Sequence, residues 1–179
     1  MMFLDSCVLI NLMATGRLEE IARHFPSKAA ISPAVRKESI YLRNPPEAEE
    51  VRVRASVEPL LADGTLVEAS LQTSDEKRLY VSLTMKMEDG AAMAMAIAIC
   101  RSDYLATDDR AAAMVYAEAG GGGAKLRSTL DLLKAWEEAG CSVAEVGAAL
   151  RFIHARARYR PALSHPLHTW WSARFSAAQ

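Results

Sequence analysis

Residues 91–100 read AAMAMAIAIC, a segment that is apolar on every face of a helix. Such a helix has no side to show to water, so it must lie inside a packed domain. The rest of the chain offers cover as short apolar runs alternating with helical segments. Strands are expected at residues 2–5, 28–32, 66–69, 104–107 and 124–127. Helices are expected at 8–14, 18–24, 33–42, 47–61, 73–85, 91–100, 110–119, 128–140 and 142–158. The punctuation agrees with these limits. Gly16 closes the first helix, and Ser32 caps a helix with Pro33 at its first position. Asn44-Pro45-Pro46 breaks that helix, and Thr73 with Glu76 and Ser142 with Glu145 have capping-box form. Pro161 and Pro166 leave the tail irregular. Strands alternating with helices predict an α/β fold, a three-layer α/β/α sandwich around a mostly parallel sheet. With 179 residues, no repeat and no linker, the chain reads as a single domain over 1–179. Residues 142–179 form its C-terminal helix and a basic, aromatic arm.

Acids at strand ends are the feature most relevant to chemistry. The carboxyl ends of parallel strands share one edge of the sheet, where ligands bind. Asp5 follows the first expected strand, and Asp108 and Asp109 follow the strand at 104–107. Glu38 is expected about two turns into the helix that opens at Pro33. Glu88 and Asp89 stand at the mouth of the apolar helix. Carboxylates gathered in one cleft repel one another and lose solvation. A cation would relieve that, and all-oxygen ligands suit Mg²⁺ or Mn²⁺ rather than zinc. The plainer reading is that Asp5, Asp89, Asp108 or Asp109 each caps a helix, and that Glu38 lies on a solvated helix face. The joint pattern favours a metal site.

The remaining composition narrows the field. The formal net charge of −1 gives no global attraction to nucleic acid, which leaves room for a local basic groove. Cys7, Cys100 and Cys141 have no metal-type spacing and read as reduced thiols of a cytoplasmic protein. No apolar run is long enough to span a bilayer, so neither a signal peptide nor a membrane partner is expected. The four glycines at 120–123 lack the Lys-Ser/Thr of a phosphate loop. A phosphotransferase with a strand-end Asp wants a second acid two residues on, where this chain has Cys7. The methionines at 85, 87, 93 and 95 read as core more readily than as an adaptable surface.

The ordered segments LDSCVLINL (4–12), ISPAVRKE (31–38), DGAAMAMAIA (89–98), LATDDRAA (105–112) and STLDLL (128–133) resemble the motifs of the PIN-domain ribonucleases. The resemblance covers roughly residues 2–140. It implies a PIN-like α/β/α fold and a hydrolase that cleaves RNA endonucleolytically with Mg²⁺ or Mn²⁺. By position, Asp5, Glu38 and Asp108 would be the metal ligands, Asp89 a fourth catalytic acid, and Ser6 and Asp109 supporting groups. Many small members are toxins of toxin–antitoxin pairs, so a cognate antitoxin and a homodimer are expected partners beside the RNA substrate. One departure matters. The family's third acid usually follows the glycine of the helix-opening motif, and that position here is Ala91. Asp89 is expected just outside the helix start. The competing reading is therefore a degenerate PIN-like domain that binds RNA or protein without cleaving.

Beyond Glu145 the chain has no acid. It carries Arg151, Arg156, Arg158, Arg160 and Arg174, interleaved with Phe152, Tyr159, Trp170, Trp171 and Phe175. Such a mixture can hold phosphates and stack on bases. Trp170, Trp171 and Leu167 look more like packing anchors, and packing is the favoured reading.

Overall fold

The computed structural model describes residues 1–38, 40–44 and 51–177. Its strands are β1 (Met2–Leu4), β2 (Ala29–Ile31), β3 (Ile40–Arg43), β4 (Arg52–Ala55), β5 (Val67–Glu68), β6 (Tyr104–Ala106) and β7 (Leu126–Arg127). Its helices are α1 (Ser6–Ala14), α2 (Leu18–Ala22), α3 (Pro33–Lys37), α4 (Glu58–Ala62), α5 (Ser74–Leu83), α6 (Asp89–Cys100), α7 (Arg110–Glu118), α8 (Thr129–Glu138), α9 (Val143–Phe152) and α10 (His168–Ser176). They fall into two compact units. The first holds Met1–Leu9, Phe25–Glu38 and Ser56–Ser128, and the second Ile10–His24, Ser39–Ala55 and Thr129–Gln179.

In the first unit five strands form one sheet in the order β5-β2-β1-β6-β7, and every neighbouring pair is parallel. Helices flank this central sheet, as the α/β/α class expected from the sequence requires. Strand β1 is central, and Met2, Phe3 and Leu4 are fully buried. Helix α6 packs on β1 and β6 and is covered by α3, α5 and α7. Its residues Gly90, Ala92 and 94–98 are buried, which is where a helix without a polar face has to be. Among the described residues no helix is long and apolar enough to cross a membrane.

A buried ion pair ties α5 to α6. Thr73 and Glu76 form the expected capping box at the start of α5. The Glu76 carboxylate also accepts the Gln72 N–H at 2.5 Å and Arg101 Nε at 2.7 Å. Arg101 caps the far end of α6 and donates a further bond to the Ser70 carbonyl. The Arg101 bond, together with the two backbone N–H groups, holds the Glu76 carboxyl down at about 2 although burial opposes it.

In the second unit β3 and β4 form an antiparallel hairpin. Helix α2 packs on α8, α8 on α9, and α9 on α10. Trp136 is buried in α8 and donates its Nε1–H to Glu20 of α2 at 3.2 Å. Asn11 and Thr129, both buried, share a 3.2 Å hydrogen bond. Helix α9 continues through a π-helical stretch, Ile153–Ala157, to Arg158.

Three sequence expectations are corrected. Helix α3 stops at Lys37, and Glu38 is its extended C-cap (φ −66°, ψ 142°) rather than a residue two turns into a longer helix. The chain then becomes strand because Ile40 and Leu42 alternate with Tyr41 and Arg43; the period of two places Ile40 and Leu42 inside at 3% and 4% exposure. The helix expected over 47–61 is likewise replaced, within the described residues, by β4 and the short α4. Residues 45–50, including part of that expected helix and the Pro45-Pro46 break, lie outside the described residues. Lastly, the tail is not irregular throughout. Helix α10 docks through Trp171, whose ring stacks on Phe175 at 4.8 Å, while Trp170 Nε1 and Arg174 Nε both donate to Glu137 at 2.7 Å.

The Glu76–Arg101 pair gives a pH-resolved prediction. Removing the charge with Glu76→Gln should destabilise the fold by about 2 kcal/mol at neutral pH, read by urea unfolding. The folded carboxyl titrates below its unfolded value, so its contribution is complete above about 4.5 and is lost as pH falls toward about 2. The gap between parent and variant should close over that window; a gap that persists at the acid end would locate the effect elsewhere.

Candidate metal centre

All the acids in question belong to the first unit. The register of the sheet decides which of them meet. Leu4 pairs with Ala106 across β1 and β6, so Asp5 stands beside Thr107 rather than Asp108. Asp5 is buried at 7% exposure, and its own N–H donates to the Ala106 carbonyl. One carboxylate oxygen accepts the Ser6 N–H at 2.8 Å. The other accepts the Thr107 hydroxyl at 2.8 Å and the Cys7 thiol at 3.4 Å. The Asp5 carbonyl accepts the Leu9 N–H at 2.9 Å, so this residue also caps α1. The capping reading of Asp5 is thus realised by its backbone carbonyl, while its side chain holds the Ser6 N–H, Thr107 and Cys7.

Glu38 arrives from the end of α3. The Ser6 hydroxyl donates to its Oε2 at 2.5 Å, and its other oxygen lies against Gly90 in the first turn of α6. A Cβ on Gly90 would collide with Glu38 Oε1 and crowd Val35, so the carboxylate reaches this place only because residue 90 is glycine. Burial, then repulsion from Asp5 and Glu88, pushes the Glu38 carboxyl above its ordinary range, against the lowering effect of the Ser6 bond. Asp5 and Glu88 therefore each act electrostatically on Glu38.

Asp108 follows Thr107, two residues past the end of β6. Its N–H donates to Cys7 Sγ at 3.3 Å, and its charge reaches the same thiol. Burial first, then Asp5, lifts the Cys7 thiol to about 12. Cys7 is therefore a protonated spacer between the two strand-end acids and not a nucleophile.

The other expected site residues are engaged elsewhere. Asp109 caps α7 by accepting the Ala111 N–H at 2.7 Å, and its own N–H donates to the Thr107 hydroxyl. Asp89 is the first residue of α6 rather than a residue outside it, and it accepts the Tyr80 hydroxyl at 2.8 Å. Ala91 sits in the same first turn with no ligand atom. Among the described residues no three His, Cys, Asp or Glu side chains are grouped as a ready-made metal cage. What the fold brings together is Asp5 with Thr107, Ser6 and Cys7, and, through Ser6 and electrostatic repulsion, Glu38 and Glu88.

In chemical type, though among the described residues not in a ready-made grouping, these donors suit a hard divalent cation rather than zinc. They are all carboxylate and hydroxyl oxygen beside a thiol kept in its neutral form, and the repulsion felt by Glu38 is the kind a cation would relieve. Thr107, Gly90, Cys7 and Tyr80 are the neighbours that sequence reasoning missed. Thr107 was readable in principle, because two parallel strands of matched length place the residues after their ends side by side.

Compared with known proteins, the chain matches no family model, no curated protein and no solved structure.

A stability measurement tests the tension at Glu38. Its folded carboxyl titrates above its unfolded value, so the ionised form opposes folding once pH rises through the folded value. In metal-free buffer at neutral pH, Glu38→Gln should keep the Ser6 bond, remove the repulsion and raise Tm. As pH falls and the parent carboxyl takes up its proton, the difference should shrink. A lower Tm for the variant at neutral pH would mean that Glu38 is a net structural stabiliser.

Proposed function

We propose that this protein is a metal-dependent endoribonuclease that hydrolyses RNA phosphodiester bonds. Asp5, Glu38 and Asp108 would hold Mg²⁺ or Mn²⁺. The observation that carries this reading is that Ser6 joins two acids at the carboxyl edge of a parallel sheet, its N–H donating to Asp5 and its hydroxyl to Glu38. The resemblance of five ordered segments to PIN-domain ribonucleases supports the same assignment, and with it the role of a toxin paired with a cognate antitoxin, a homodimer and a cytoplasmic setting.

In this reading the chain's own groups have distinct tasks. The Ser6 N–H and the Thr107 hydroxyl fix the two oxygens of Asp5, while the Ser6 hydroxyl aims Glu38. One serine thus orients two ligands through two different groups. Asp109 holds the Thr107 hydroxyl through its backbone N–H and so supports Asp5 indirectly. Asp89 would contribute through a carboxylate that already accepts the Tyr80 hydroxyl on one oxygen. A divalent ion bound there would supply a water of lowered pKa and charge stabilisation for in-line attack on phosphorus.

A second reading, a PIN-like module that binds without cleaving, is favoured by two observations. Ala91 offers no ligand atom where the family usually has its third acid, and the acids present are not grouped as a cage.

Asp5→Asn separates the two. Asparagine keeps the shape and the acceptor for the Ser6 N–H, so the fold should survive with a similar Tm. Cleavage of a single-stranded RNA in Mn²⁺ should fall to background. Cleavage by the variant at the parental rate would refute the mechanism. An inactive parent that gains cleavage on Ala91→Glu would establish the second reading.

A further inference from the structure

The β3–β4 hairpin has two unlike faces. Its inner face buries Ile40 and Leu42. The register pairs Tyr41 with Arg54 and Arg43 with Arg52, so these four side chains share the outer face. Arg52 and Arg54 are exposed, Tyr41 is half exposed and Arg43 is half-buried. A fourth guanidinium joins them. The π-helical end of α9 packs on β3 and delivers Arg158 beside Arg43. Arg158 has φ 61°, a left-handed conformation that a side chain bearing Cβ seldom takes.

Like charges placed directly opposite on neighbouring strands destabilise a sheet. Arg43 registers the crowding: burial, then Arg158 and Arg52, push its guanidinium below the ordinary value. Elsewhere Arg17, Arg23, Arg36, Arg78, Arg101 and Arg174 each pair with a carboxylate. Among the described residues Arg43, Arg52, Arg54 and Arg158 form no ion pair, as is true also of Arg110, Arg127, Arg151, Arg156 and Arg160; what sets the four apart is that they gather at one hairpin. Residues 45–50, between the two strands in sequence, include Glu47, Glu49 and Glu50 and lie outside the described residues; the described outer face itself holds guanidiniums and no carboxylate.

We propose that the outer face of the β3–β4 hairpin, with Arg158 beside it, binds the phosphate backbone of single-stranded RNA and that Tyr41 stacks on a base. Planar guanidiniums take two phosphate oxygens at once. Same-face residues two apart on a strand are about 7 Å apart, a repeat an extended nucleic-acid backbone can follow. An exposed tyrosine among arginines suits an unpaired base, which an acidic peptide does not offer. The ligand's identity rests on the proposed ribonuclease function; the surface itself does not depend on the strand-end acids.

The test is fluorescence anisotropy of a labelled single-stranded RNA 12-mer with the full-length protein in EDTA across a salt series. Arg52→Gln/Arg54→Gln should weaken binding about tenfold or more and lower the slope of log K on log salt by about 1.4, roughly 0.7 for each phosphate contact removed. Tyr41→Ala should weaken binding several-fold and leave the slope unchanged. The control Arg23→Gln/Arg78→Gln makes the same charge change on exposed, ion-paired arginines and should bind as the parent does. All these side chains are exposed, so no variant should lose Tm, and the hairpin variant, relieved of the repulsion between Arg43 and Arg52, should hold or gain. Parental binding by the hairpin variant, an equal loss in the control, or equally tight binding of a polyglutamate peptide would overturn the proposal. Hairpin-dependent binding without cleavage in Mg²⁺ would remove the nuclease reading alone; cleavage with hairpin-independent binding would remove this one alone.

Discussion

The β1–β6 register is the constraint on which the candidate site depends. Because Leu4 lies opposite Ala106, the next residues, Asp5 and Thr107, meet just past the strand ends. The buried Asp5 carboxylate collects the Ser6 N–H, the Thr107 hydroxyl and the Cys7 thiol, and so fastens the start of α1 to the end of β6. A shift of one residue would turn every β1 side chain to the opposite face and take Asp5 away from Thr107. With Met2, Phe3 and Leu4 fully buried, such a slip is strongly opposed.

A second consequence is electrostatic. Once Asp5 is fixed, Ser6 comes next in α1 and its hydroxyl reaches Glu38. Gly90 clears the space in which the Glu38 carboxylate sits, and Glu88 stands close enough to repel it. Hydrogen bonds satisfy these carboxylates one at a time without cancelling their charge. An ion pair, such as the one Arg101 makes with Glu76 in the same unit, does cancel it. The two sites differ in kind. Where the fold needs a buried carboxylate for structure it supplies an arginine, and at the strand-end cluster the influences on Glu38 are burial, a hydroxyl and two further acids.

Much of this was legible in the residues, and the rest was hidden for identifiable reasons. The parallel sheet, the buried α6 and both capping boxes came from apolar periodicity and local hydrogen-bonding chemistry, which act over a few residues. The hairpin was obscured because the charges of 47–54 resemble a solvated helix face, although Ile40, Leu42 and Val53 already carried the period of two. Glu38 was expected inside a helix and lies at its extended end, since the short α3 gives way to strand. Asp109 and Asp89 were named as site residues from position alone. Their bonds to Ala111 and Tyr80 depend on side-chain direction, which spacing does not encode. Cys7 and Thr107 became visible only through strand register, a non-local property.

Calorimetric titration of the metal-free protein with Mn²⁺ tests the central claim, that the strand-end acids hold a divalent cation. The expected result is one ion bound per chain with a rise in Tm, both abolished by Asp5→Asn. Absence of binding to the parent, or unchanged binding by Asp5→Asn, would contradict it.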